Sequence, residues 1–89
     1  MMPIEEFCES HGLSLNVIPW ENPRGVSNGY AACCSSIKFT SLMGFGQTKT
    51  DAKIDLTRSI LLNKDAILEK APEFIHGLKM LLLQEAIDI

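Results

Sequence analysis

The sequence of 89 residues predicts an α+β domain: a helix, a three-stranded antiparallel sheet, a second helix and an additional C-terminal helix. Three observations predict it. Leu13, Leu15 and Val17 alternate with Ser14 and Asn16, the period-two pattern of a half-buried strand. The run Gly44-Phe45-Gly46-Gln47-Thr48-Lys49-Thr50-Asp51-Ala52-Lys53 reads as a glycine-marked strand end followed by a capped helix start. Beyond it, Ala52, Leu56 and Ile60 recur at four-residue spacing, an apolar stripe suited to packing on a sheet.

Each element has its own local warrant. Pro3 suits the first turn of a short helix through about Ser10, with Ile4, Phe7 and Cys8 on one side, and Gly12 ends it. The first strand runs from about Leu13 to Ile18, where Pro19 stops it. Residues 20–29 are dense in turn formers and make a loop closed by Asn28-Gly29. Tyr30 to about Phe39 and Leu42 to Gly46 supply two more strands, their turn lying at Ser35-Ser36 or at Thr40-Ser41. The second helix starts near Thr50. Ile54, Leu61 and Leu62 fall off its main stripe, so a second apolar surface there needs cover. Asn63 ends this helix or caps the next turn, and Pro72 opens a last helix running to about Ile87. On that helix Gly77 costs about 1 kcal/mol relative to Ala, which a closely packed backbone neighbour would explain.

Size and charge narrow the function. The chain is long enough for one modest core and no second one, so residues 1–89 form a single domain. Eleven acids against eight bases leave a net charge of -3, where an unaided nucleic-acid binder carries a basic excess. Acids at Glu5 and Glu6 do not fit a secretory signal, and no apolar run approaches the roughly 20 residues of a membrane span. Three cysteines cannot all pair within one chain, and Cys33 and Cys34 are adjacent, so reduced thiols and a cytoplasmic or nuclear setting are expected.

The helix start is the main candidate site. Thr48 or Thr50 can cap it, Asp51 suits the positive end of its dipole, and Lys49 and Lys53 project from one face close to that end. This is a geometry for an anion. Set against it is the common solvated helix start, in which lysines need no ligand.

The order helix, strand, strand, strand, helix, with this Gly-x-Gly-x-Thr-Lys junction, resembles the double-stranded-RNA-binding domain. That family opens its second helix with Gly-x-Gly-x-Ser-Lys-Lys-x-Ala-Lys, whose lysines bridge phosphates across the major groove. Gly44, Gly46, Thr48, Lys49, Ala52 and Lys53 match it, while Thr50 stands where the family has its middle lysine. Pro3, Phe7 and Glu9 fall at the spacing of the family's first helix, whose glutamate position meets the minor groove. The family's Gly-Pro-x-His loop is replaced by Asn22-Pro23-Arg24-Gly25, without the histidine, and Asp51 puts a negative charge between the two retained lysines. The resemblance covers residues 3–62, and 63–89 form a helical extension. It implies RNA contacts at Lys49, Lys53, Arg24, Glu9 and Thr48, in a set smaller than shape recognition across roughly 16 base pairs normally uses.

The family's degenerate members act as protein-binding or dimerising modules, often inside RNA-processing complexes, and the acidic balance and extra apolar helix fit that branch. Phe74, Leu78, Met80, Leu81, Leu82, Leu83 and Ile87 spread over more of the last helix than one sheet face can bury, which makes them interface candidates. Leu42, on the third strand, joins them if pairing is edge to edge. The leading expectation is therefore a non-enzymatic module that associates with a protein partner or with itself. A second reading keeps weak duplex-RNA binding through Lys49, Lys53 and Arg24, with Lys38 beside them. A third places the chain among small phage or bacterial regulatory or anti-defence proteins, which its size and the helix start Ala71-Pro72-Glu73-Phe74-Ile75 resemble.

The remaining chemistry-bearing residues point to no cofactor, metal, membrane or small-molecule substrate. Cys8, His11, Cys33 and Cys34 offer zinc's ligand types without a Cys-x-x-Cys pair, and adjacent strand cysteines face opposite ways. A Cys-His catalytic pair would need a pocket that so small a domain hardly provides. His76 reads as a boundary residue, and Glu5, Glu6 and Glu9 as a solvated acidic face. Trp20 is either a lid over the core, the reading favoured by its being the single tryptophan, or an exposed anchor.

Overall fold

A computed structural model describes residues 2–21, 28–36 and 39–88. The order is α1 (Pro3–His11), β1 (Ser14–Glu21), β2 (Asn28–Ser36), β3 (Phe39–Gly46), α2 (Lys49–Leu62), α3 (Lys64–Lys70), a 3-10 turn (Pro72–Phe74) and α4 (Ile75–Asp88). This is the α+β arrangement the sequence predicts. The strands form one antiparallel sheet in the order β1-β2-β3, and the helices lie on one face of it.

The start of the fold follows its local signals. Ile4, Phe7 and Cys8 face inward from α1. Gly12 then adopts φ 66°, and the Gly12 and Leu13 N–H groups donate to the Glu9 and Cys8 carbonyls. That pair of bonds satisfies orphan carbonyls at the helix end and needs a left-handed residue, which glycine supplies without strain.

Pro19 does not stop β1, which continues to Glu21 with Pro19 opposite Tyr30. The reason is topological: β1 is an edge strand, where one side of the backbone has no ladder partner and a missing N–H is tolerated. β2 ends at Ser36, which pairs with Phe39 at the start of β3, so both turn positions the sequence left open lie inside strands, Ser35-Ser36 in β2 and Thr40-Ser41 in β3, and the connection falls at residues 37–38, outside the described residues.

The sheet's inner face is made of Leu15, Val17, Tyr30, Ala32, Cys34 and Leu42, with Ala32 and Cys34 fully buried. α2 packs on it through the predicted stripe Ala52, Leu56 and Ile60. Of the residues off that stripe, Leu61 packs against the core, whereas Leu62 is 86% exposed.

The C-terminal third is three helical pieces where the sequence predicts a single helix opened by Pro72 and running to about Ile87. Asn63 Nδ2 donates to the Ser59 carbonyl at 2.7 Å and its backbone carbonyl accepts from Ile67, so the chain passes from α2 into α3 with little interruption. Pro72 opens the 3-10 turn, and α4 follows from Ile75. Ile67, Ala71, Phe74, Leu78 and Leu81 join the same core as α1, α2 and the sheet. The extension therefore completes the domain's only described core. Gly77 is met by the side chains of Phe7 and His11 and not by a backbone, since a Cβ there would lie 2.8 Å from Phe7 Cδ2 and collide with His11 Nε2.

Candidate functional site

The junction of β3 and α2 is shaped by packing before any ligand is considered. Gly44 and Gly46 both lie on the inner sheet face, where α2 crosses directly over the strand. A Cβ on Gly44 would collide with the Leu56 backbone nitrogen, and one on Gly46 would lie 2.6 Å from the Ala52 nitrogen. Neither glycine has a positive φ. Their role is close approach of helix to strand, so Gly-x-Gly is not in itself a phosphate loop.

Of the two candidate caps, Thr48 is the one used: its Oγ1 accepts from the Asp51 N–H at 3.0 Å. The two lysines separate in role. Lys53 Nζ lies 2.9 Å from Glu5 Oε1 on α1, both side chains being partly exposed, and this ammonium holds the Glu5 carboxyl below the usual carboxylate range. Lys49 is exposed, with its Nζ 5.8 Å from the centre of the Tyr30 ring. Glu5 is thus more than part of a solvated acidic face. Glu9 is exposed on α1, while Arg24 and Lys38 lie outside the described residues. Among the described RNA-contact candidates, only Lys49 offers a cation without a carboxylate bonded to it.

The interface candidates also divide. Phe74 on the 3-10 turn and Leu78 and Leu81 on α4 are buried in the core and have no surface to offer a partner. Leu42 is half-buried against the same core. Met80, Leu82 and Leu83 are exposed, as is Ile75. Ile87 falls within α4, but its side chain lies outside the description. A groove of about 250 Å³ between α1 and α4 is lined by Phe7, His11, Gly77, Met80 and Gln84. In it the His11 ring centre lies 4.8 Å from that of Phe7 and 4.4 Å from that of Phe74; burial lowers the His11 pKa, opposed by Glu73 and assisted by His76.

The third strand is less open to edge pairing than its position at the sheet margin implies. The Phe45 N–H donates to Asp55 Oδ2 of α2 at 2.9 Å. That N–H points away from β2, and a helix carboxylate already occupies it.

Sequence reasoning missed the outer face of the sheet. Ile18 (53% exposed), Trp20 (44%), Met43 (44%) and Phe45 (47%) all stand on it, and no described element covers them. Trp20 is therefore not a lid over the core. It meets Phe45 edge to face, ring centres 5.4 Å apart, across β2. Between them Ala31 is fully buried although it lies on the outer face. The signal was present in the alternation: Val17-Ile18 and Leu42-Met43 are apolar on both parities, as in a strand that meets apolar partners on two sides.

The cysteines fall on opposite faces as adjacent strand residues must. Cys8 and Cys34 are buried with sulfurs 3.7 Å apart, and the Cys34 sulfur together with burial pushes the Cys8 thiol pKa up. Cys33 is partly exposed on the outer face. Among the described residues no three His, Cys, Asp or Glu side chains come together as a metal group, and no helix is long and apolar enough to cross a membrane. Compared with protein-family models, curated proteins and solved structures, the chain matches none.

Proposed function

We propose that this chain is a non-enzymatic, double-stranded-RNA-binding-domain-like module that works by protein association through the open face of its sheet. The observation that carries the reading is the uncovered cluster Ile18, Trp20, Met43 and Phe45. Four large apolar side chains roughly half exposed amount to about 400 Å² of contiguous apolar surface, a size that in monomers is often a functional patch. Supporting it, the duplex-RNA set is reduced in kind as well as number: Lys53 faces Glu5, the Thr48 hydroxyl is used as a cap, and Asp51 stands at the same helix start. A place within RNA-processing machinery follows from the family resemblance alone.

The test is cross-linking in cells with the tagged chain, beside its Phe45→Lys variant. A protein, whether another copy or a different chain, recovered with the wild type and lost with the variant is the expected result. Recovery of duplex RNA, lost instead on joint Lys49→Ala and Lys53→Ala substitution, would replace this reading with the RNA-binding one.

A further inference from the structure

We infer that the open sheet face is occupied by a second copy of this chain, the two sheets stacked face to face about a two-fold axis. The inference rests on the association reading and adds the partner and its geometry.

The first argument is relief. By strand register the outer face carries Trp20 beside Gly29, then Ile18, Ala31 and Phe45 in a row, then Asn16, Cys33 and Met43, then Ser14 beside Ser35. One end is a ridge built by Trp20 and Phe45 in ring contact, and the other is lower, with Met43 as its one large side chain beside Ser14, Asn16, Cys33 and Ser35. A two-fold axis lying between the sheets, running across the strands level with the gap between Ala31 and Cys33, lays each ridge on the partner's low end. Phe45 of each copy then meets Met43 of the other, an aromatic-sulfur contact, at the roughly 10 Å spacing of stacked sheets. Such an interface is isologous and closes at two copies.

The second argument is charge. Every acid in the chain except Glu21 lies on a helix, while no described residue of the outer face is charged. Two copies with a net charge of -3 each repel if they meet through their helices and avoid most of that repulsion if they meet through their sheets. The third is area. About 400 Å² of apolar surface per copy, with Ser14, Asn16 and Ser35 around it, brings the total buried to about 1,000 Å², the lower bound for a specific interface. An interface at that lower bound belongs with weak, reversible association.

The experiment is sedimentation equilibrium of the full chain from about 1 μM to 1 mM, with Trp20 emission recorded over the same range. Trp20 is the single tryptophan and stands on the ridge, so its emission reports this face alone. The expected result is a monomer–dimer equilibrium with a blue shift of Trp20 that tracks the dimer fraction. Met43→Lys should weaken it at least about tenfold, because each ammonium would be buried against the partner's Phe45 without a counter-charge, and Leu83→Lys on α4 should leave it unchanged. A monomer at every concentration would overturn the second copy while leaving association with another protein intact. A dimer whose Trp20 emission stays fixed, and which Leu83→Lys breaks, would overturn the face itself. The wild-type emission decides the matter even if Met43→Lys does not fold.

Discussion

The Lys53 ammonium lies 2.9 Å from Glu5 Oε1, so the helix start that resembles an RNA contact is tied to the protein's own first helix. Removing the carboxylate while keeping the shape, Glu5→Gln, frees Lys53 for phosphate. Duplex-RNA affinity should rise several-fold at low salt, roughly fivefold for one added contact, and the gain should vanish at high salt. Filter binding across a salt series measures this; an unchanged affinity would mean that Lys53 is too far from any docked duplex.

The same pair has a pH signature. The folded Glu5 pKa is depressed, by the Lys53 hydrogen bond first of all, so its contribution is complete above the unfolded value near 4.5 and is lost as pH falls through the lower folded value. Thermal melts of wild type and Glu5→Gln should therefore differ at neutral pH and converge below that value.

His11 acts in a higher window. Burial depresses its folded pKa below 6.5, against the Glu73 carboxylate and with the help of His76. Folding favours the neutral ring, so its contribution to stability is full above about pH 6.5 and is lost as pH falls through the folded value. His11→Gln should flatten the fall in melting temperature between pH 7 and 5.

Two glycines serve opposite needs and should respond differently to alanine. At Gly12 a Cβ meets nothing within 4 Å, and only the left-handed backbone opposes it, a cost of about 1 kcal/mol. At Gly44 the conformation is ordinary and the Leu56 backbone blocks the site, so Gly44→Ala should cost about 3 kcal/mol or prevent folding. Urea denaturation of the two variants gives the comparison.

Asp55 guards the edge of β3 by accepting from the Phe45 N–H. Asp55→Ala should lower stability by about 1 kcal/mol and leave that N–H exposed. Light scattering should then show growth beyond a dimer, because an open edge adds strands without closing.

Most of the fold was legible because its signals are local. The strand alternation at Leu13, Leu15 and Val17, the stripe on α2 and the left-handed Gly12 each depend on a few neighbouring residues. Pro19 misled because its tolerance depends on which strand lies at the sheet's edge, a property of the whole topology. The stop at Asn63 was legible but α3 beyond it was not, because Asn63 carries the chain onward through a hydrogen bond that composition does not reveal. At the candidate site, the capped helix start was legible and its use was not: Lys53 and Glu5 are 48 positions apart, and only tertiary packing brings them together. Trp20 and Phe45 likewise meet only through strand register.

The neighbouring residues Cys33 and Cys34 give this chain an internal clock. Cys33 is partly exposed on the outer face of the monomer and so open to a thiol reagent at dilution, whereas Cys34 and Cys8 lie at the seam between sheet and α1, sulfur against sulfur. A reagent can touch that second pair only when the seam parts. One fast labelling event followed by two slow ones would date the separation of the helical layer from the sheet, and comparison with the global unfolding rate would tell whether the two layers part company before the rest of the molecule lets go.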